Sequence, residues 1–384
     1  MGRFNVMSAD SHLEISPERW AGRVPAEHRD RAPRLIKLPH GGDGVILEGR
    51  DVYVLGLAIT GRPPEEHRLF GLHYEGSPGA GSSADRVKEQ DQDGIDGEVM
   101  YTSAGNANFW RGIRNDDAYN AVIHAYNEFL AEEYAAGAPD RLFPMGVMPQ
   151  SSIEAALAEL QYCGEAGLKG IMLSDYPSAK GHPSPDDDRF WAMALDIQMP
   201  VTAHVNCPGR KGPHFAYAKA PPEAGFGADP VRAMGRFAQG EHIAVVIALM
   251  LAGVFDRFPS LRIYFAETQI GWLPESSEQL DDTYGRNRFW MERDFGLEPL
   301  ARRPSDYLRD NTLWGFISDP FGVKICAEMG IHNVMWGSDF PHSASNWPHS
   351  DRLFDRMFDG VDDGVKAAMT NDNAVDFFHL GNGR

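Results

Sequence analysis

The sequence predicts an α/β fold, the closed (β/α)8 or TIM barrel, with an insertion after strand one and a helical insertion after strand six. Three observations predict it. Short β-rich runs alternate with helical patterns almost without break from Gly97 to Phe358, and such alternation builds a parallel sheet. Eight such runs can be read along the chain, the number that closes this barrel. The chain has 384 residues, inside the ~200 to beyond ~400 that the architecture spans.

The strands are expected at Phe4–Ala9, Gly97–Tyr101, Phe143–Met148, Lys169–Leu173, Pro200–Ala203, Arg262–Ala266, Leu313–Ile317 and Asn333–Gly337. Most are apolar on both faces, as strands covered by helices must be. Between them, Asp116–Ala135 carries apolar residues at helical spacing and ends near Gly137 and Pro139. Ser151–Glu165 opens with Ser152 as N-cap. Asp187–Gln198 follows strand four, and Pro230–Phe255 holds one long or two shorter helices. Residues 16–86 break the repeat with Gly, Pro and charge, and Val45–Leu57 reads as a hairpin. Asp281–Pro304 is a second, aromatic and charged insertion. The whole chain, 1–384, is read as one domain. The acidic runs at 91–97 and 186–189 lack the spacing of a calcium loop and are read as solvated helix starts.

Composition bounds the function. With 36 basic and 55 acidic residues the net charge is −19, which opposes a nucleic-acid partner or an anionic membrane surface. Three cysteines are too few for a disulfide framework, and no apolar signal core opens the chain. A cytoplasmic, soluble enzyme acting on a small molecule is the expectation.

In such a barrel the C-terminal strand ends face the active site. Strand one runs into Asp10-Ser11-His12, strand five into His204, strand six into Glu267 and strand eight into Asp339. Alternation puts Asp10 and His12 on one side of their strand. Two imidazoles with carboxylates at separate strand ends can hold one divalent cation and leave a position open for water or substrate.

The segments SADSHLE at 8–14, DRLFPMGVMP at 140–149, GLKGIML at 167–173, MPVTAHV at 199–205, GVFDRFPSLRIYFAETQIGWLP at 253–274 and VMWGSDFPHS at 334–343 span almost the full length. Together they resemble the amidohydrolase-related family that includes aminocarboxymuconate-semialdehyde decarboxylase and γ-resorcylate decarboxylase. The resemblance implies a single metal on Asp10, His12, His204 and Asp339; the N/O donor set suits zinc first and manganese second. The resemblance also implies a homodimer or homotetramer. The first motif is often HxH in that family, and the DxH form here also occurs there. The family's strand-six catalytic His is replaced by Glu267.

Three readings follow. The first is a metal-dependent hydrolase of a small cyclic or aromatic acid, with Asp339 as base for the metal's water, His204 as ligand and Glu267 orienting substrate or passing a proton. The alternative is a non-oxidative decarboxylase of an aromatic or muconate-like acid, in which Asp339 protonates the ring carbon. The third is a metal-free binding protein. His182, His342, Arg210 and Trp110 are the expected substrate-binding residues.

Overall fold

The computed structural model describes residues 4–39, 41–54, 60–67, 71–102, 109–204 and 242–381. Eight parallel strands form a ring. They are β1 (Met7–Leu13), β2 (Gly97–Thr102), β3 (Leu142–Pro144, continued by Gly146–Val147), β4 (Ile171–Leu173), β5 (Val201–Ala203), β6 (Ile263–Phe265), β7 (Thr312–Phe316) and β8 (Val334–Trp336). Neighbours in the chain are neighbours in the sheet, and every described barrel pair is parallel. Within β3 the pairing switches partner at Met145. Its N–H donates to Met100 O at 2.9 Å, and the next N–H, of Gly146, donates to Gly170 O at 3.0 Å. The ring closes where β8 runs out beside β1. Asp339 N–H donates to Asp10 O at 2.9 Å and His12 N–H to Phe340 O at 2.6 Å.

Each expected strand is present, most of them shorter by a residue or two. β2 gains one residue and β7 shifts by one, while β1 departs most: it starts later and continues through His12 to Leu13. A polar Asp-Ser-His triplet reads as the end of a strand, but all seven residues of β1 are buried, so the strand persists while the barrel covers it.

The helices follow local signals. The helix α1 (Ser83–Asp93) is opened by a capping box between Ser82 and Asp85 and closed by Gly94 at φ 71°. The acidic run at 91–97 is therefore a helix end, not the expected helix start; the Gly after Asp93 is the left-handed cap that stops it. The helix α2 (Asp116–Phe129) continues as a wider π turn through Ala135. Ser152 caps α3 (Ile153–Glu165), and α4 is Asp188–Asp196. Of the expected Pro230–Phe255 helices, α5 (His242–Leu251) is described and a single turn follows at Val254–Arg257; the part before His242 lies outside the described residues. After β6 come the long α6 (Leu273–Phe295) and α7 (Pro304–Asn311), the expected helical insertion.

The segment between β1 and α1 adds a small antiparallel sheet of Arg34–Lys37, Asp43–Ile46 and Tyr53–Val54. The last two strands are the expected hairpin. No helix among the described residues is long and apolar enough to cross a membrane.

Candidate metal centre

The first two ligand candidates are aimed by a bulge. In β1, Ser8 pairs with Glu98 but Ser11 pairs with Met100, so one extra residue is inserted before Ser11. Bulges re-aim side chains. The bulge is locked by Ser8, whose hydroxyl donates to Asp10 O at 2.8 Å and accepts from Ser338 N–H at 2.9 Å. Gly337 makes the approach possible: a Cβ there would stand 2.9 Å from Asp10 N.

Asp10 and His12 within β1 come together with His204 and Glu267 from the ends of β5 and β6. Each offers an atom within 4.8 Å of the others'. Asp10 and His12 are 1% and 0% exposed, and His204 5%. His204 Nε2 lies 3.6 Å from Asp10 Oδ1 and 3.4 Å from Glu267 Oε2; His12 Nε2 lies 3.7 Å from Asp10 Oδ1. Among the described residues both Asp10 oxygens and both ring nitrogens of His12 and His204 have no hydrogen-bond partner. Buried polar atoms left bare cost ~1–3 kcal/mol each, and here they converge on one point. That is the pattern of a site for a cation, and the N/O donors suit a divalent metal. Burial, with His342 close by, pushes the His12 imidazole below its usual range, which keeps a ring lone pair on offer.

Asp339 sits differently. Its Oδ1 lies 3.1 Å from His12 Nε2 without hydrogen-bond alignment, and 3.0 Å from His342 Nδ1 with it. The other nitrogen of His342 meets Glu14 Oε1 at 3.1 Å. The His342 ring also stacks on His12, centroids 3.9 Å apart. Burial works against charge on both Asp339 and His342, but each stabilises the other. Asp339 is held well below the usual carboxylate range by His12 and His342, and His342 is pushed up to about 10 by Asp339 and Glu14. The result is a Glu14–His342–Asp339 chain running into the centre.

Glu267 is the strand-six residue. Burial and the carboxylates of Asp10 and Asp339 raise it to about 7. Its φ is 59°, as Asp339's is 53°. Such strain in non-glycine residues clusters at functional sites.

The expected substrate-binding residues fall out unevenly. His342 is 5% exposed with both nitrogens engaged, so it is a supporting residue and not a free substrate contact. Trp110 is a core residue: it is 2% exposed and packs on Trp20 and Tyr126 at 5.2 and 4.8 Å. An aromatic near a strand end is as easily turned into the wall of the barrel as into its mouth. His182 is half-buried in the loop after β4, with Nδ1 3.0 Å from Pro183 O. Arg210 lies outside the described residues. Two participants, Glu14 and Arg86, lie outside the expected set. Glu14 follows His12 by the same two-residue step that links Asp10 to His12, a signal that was available. Arg86 reaches His12 O at 3.0 Å from a helix whose sequence shows nothing to foretell it.

A family model described as Amidohydrolase matches residues 78–380. Among curated relatives, Decarboxylase orsB of Emericella nidulans is 26% identical over 58% of this chain and 66% of its own length. Gamma-resorcylate decarboxylase of Rhodococcus jostii is 28% identical over 77% of this chain and 87% of its own. Two solved structures share the fold. Amidohydrolase map2389c from Mycobacterium avium subsp. paratuberculosis has a TM-score of 0.72 at 15% identity, covering 98% of this chain and 99% of that one. 5-Carboxyvanillate decarboxylase from Novosphingobium aromaticivorans, complexed with manganese and 4-hydroxy-3-methoxy-5-nitrobenzoic acid, has a TM-score of 0.61 at 19% identity, covering 98% and 96%.

Proposed function

The chain belongs to the amidohydrolase family, and on that premise we propose that it is a metal-dependent, non-oxidative decarboxylase of an aromatic carboxylic acid bearing a neighbouring hydroxyl. The observation that carries the reading is the convergence of bare, buried Asp10, His12 and His204 atoms beside Asp339, in a family whose curated relatives here are decarboxylases. The hydrolase expectation becomes the second reading, favoured by one feature: Glu267 stands where the decarboxylase resemblance calls for an imidazole.

Asp10, His12 and His204, with Asp339 beside them, would hold the ion. When bound, a divalent ion supplies positive charge for the substrate's carboxylate and hydroxyl oxygens. Manganese is the proposed ion in place of the zinc first expected, because a similar structure holds it and carboxylate oxygens suit it.

The chain's own residues then manage one proton. The proton rests on His342, and Asp339, hydrogen-bonded to it, relays it to the ring carbon that carries the carboxylate. The new C–H bond forms, the bond from ring to carboxylate breaks, CO2 leaves, and its electron pair restores the aromatic ring. His342, held by Glu14, then takes the replacement proton from water.

The test is to incubate manganese-loaded protein with a panel of ortho-hydroxybenzoic acids in D2O and in H2(18)O. The reading expects CO2 release with one deuteron at the vacated ring position and no 18O in the aromatic product. A product that retains its carboxyl carbon and gains 18O would move the assignment to a hydrolase.

A further inference from the structure

The centre holds one more carboxylate than the resemblance requires, and its placement is built rather than incidental. Glu267 lies two residues beyond β6. The residue before it donates N–H to β5, Ala266 to Ala203 O at 2.9 Å, and the residue after it donates to β7, Thr268 to Gly315 O at 2.9 Å. The backbone is thus pinned to both neighbouring strands, and the left-handed φ of 59° at Glu267 is the turn between the two pins. Gly315 leaves the space for that turn: a Cβ on it would come within 3.0 Å of Glu267 N. A non-glycine residue in this conformation costs ~1–3 kcal/mol, which the two strands hold in place.

What the strain achieves is direction. The Glu267 carboxylate is 3.4 Å from His204 Nε2, and one of its oxygens is within 4.8 Å of the donor atoms of Asp10, His12 and His204. Those three side chains are more than nine-tenths buried, with their polar atoms bare. Asp339 is not part of that set; it groups with His12 and His342, and His342 takes its Oδ1.

We propose that Glu267 is a ligand of the metal, beside Asp10, His12 and His204, and that it biases the centre toward a hard, oxygen-preferring ion such as manganese over zinc. The chemical ground is that each imidazole replaced by a carboxylate moves a site toward ions that favour oxygen donors. The inference rests on the metal-binding part of the proposed function and not on the reaction.

The experiment measures metal binding without substrate. Metal-free wild type, Glu267→Gln and Glu267→His are titrated with Mn2+ by electron paramagnetic resonance, and with Zn2+ in competition. Circular dichroism melts of the metal-free proteins check folding. All three side chains face the same backbone conformation, so the melts are expected to agree closely. The expected result is a loss of Mn2+ affinity of about tenfold or more in Glu267→Gln. In Glu267→His, binding is retained and the Mn2+-to-Zn2+ preference drops by about tenfold or more. Unchanged Mn2+ affinity in Glu267→Gln overturns the proposal, as does an unchanged preference in Glu267→His. Wild type that binds Mn2+ through Glu267 yet releases no CO2 sinks only the decarboxylase reading.

Discussion

Removing the guanidinium of Arg86 should destabilise the protein and loosen its metal centre together. Arg86 is 2% exposed, and its Nε donates to Glu98 Oε2 at 2.6 Å; Glu98 is 3% exposed. The same guanidinium donates to His12 O at 3.0 Å and to Phe340 O at 3.5 Å, and lies 4.4 Å above the Phe340 ring. It therefore ties the backbone of β1 to the backbone leaving β8, beside two ligand candidates. Arg86→Met keeps the apolar stem and strands the Glu98 carboxylate. Breaking a buried pair by removing one partner costs ~3–5 kcal/mol. An unfolding entropy of ~2.1 cal/mol/K per residue gives about 0.8 kcal/mol/K for 384 residues. The metal-free protein should then melt about 4–6 °C lower. Adding Glu98→Gln to Arg86→Met removes the stranded charge and should recover more than half of that loss, a coupling that only contacting residues show. Scanning calorimetry of the four proteins measures it. Mn2+ affinity should fall in Arg86→Met and stay low in the double variant, because the His12 and Phe340 carbonyls remain untied in both. A shift under 1 °C in Arg86→Met, or no recovery on adding Glu98→Gln, would refute the clamp.

His242 predicts acid sensitivity. It is 5% exposed, both ring nitrogens are bare among the described residues, and Trp272 and Trp314 flank it at 5.4 and 5.5 Å. Burial holds its pKa down at about 4, against ~6.5 unfolded. Between these values the unfolded chain binds more protons, so stability falls as pH drops through that window. The cost is about 2 kcal/mol at pH 5. His242→Phe should narrow the difference in melting temperature between pH 7 and pH 5; an equal difference in both proteins would count against it. Gly337→Ala should cost ~1–3 kcal/mol by overpacking against Asp10 and weaken Mn2+ binding in the same resonance titration; native affinity would mean that β1 can yield without moving Asp10.

The barrel was legible because its cause is local and repeated. Eight apolar runs separated by helical patterns admit few other solutions, and a cap such as Ser152 can be read from a single residue. The convergence of Asp10, His12, His204 and Glu267 followed once those runs were taken as barrel strands, since strand ends share one face. What could not be read depends on which way a side chain turns. Trp110 faces the core and His342 is taken up by Asp339 and Glu14; neither fact has a signal in the residues alongside. Arg86 joins elements brought together only by closure of the ring, so its role is visible only in three dimensions.

That closure has a consequence for when the protein becomes active. Glu14 and His342 are 328 positions apart, and the backbone bonds that seat Asp10 against Asp339 join the first barrel strand to the last. During synthesis, β1 emerges early and must wait for nearly the whole chain before its partner exists. A nascent chain halted before β8 carries Asp10, His12, His204 and Glu267 yet has no Asp339 and no seam to hold the bulge that aims the first two. The bulge that aims Asp10 and His12 is thus fixed only when the ring is finished.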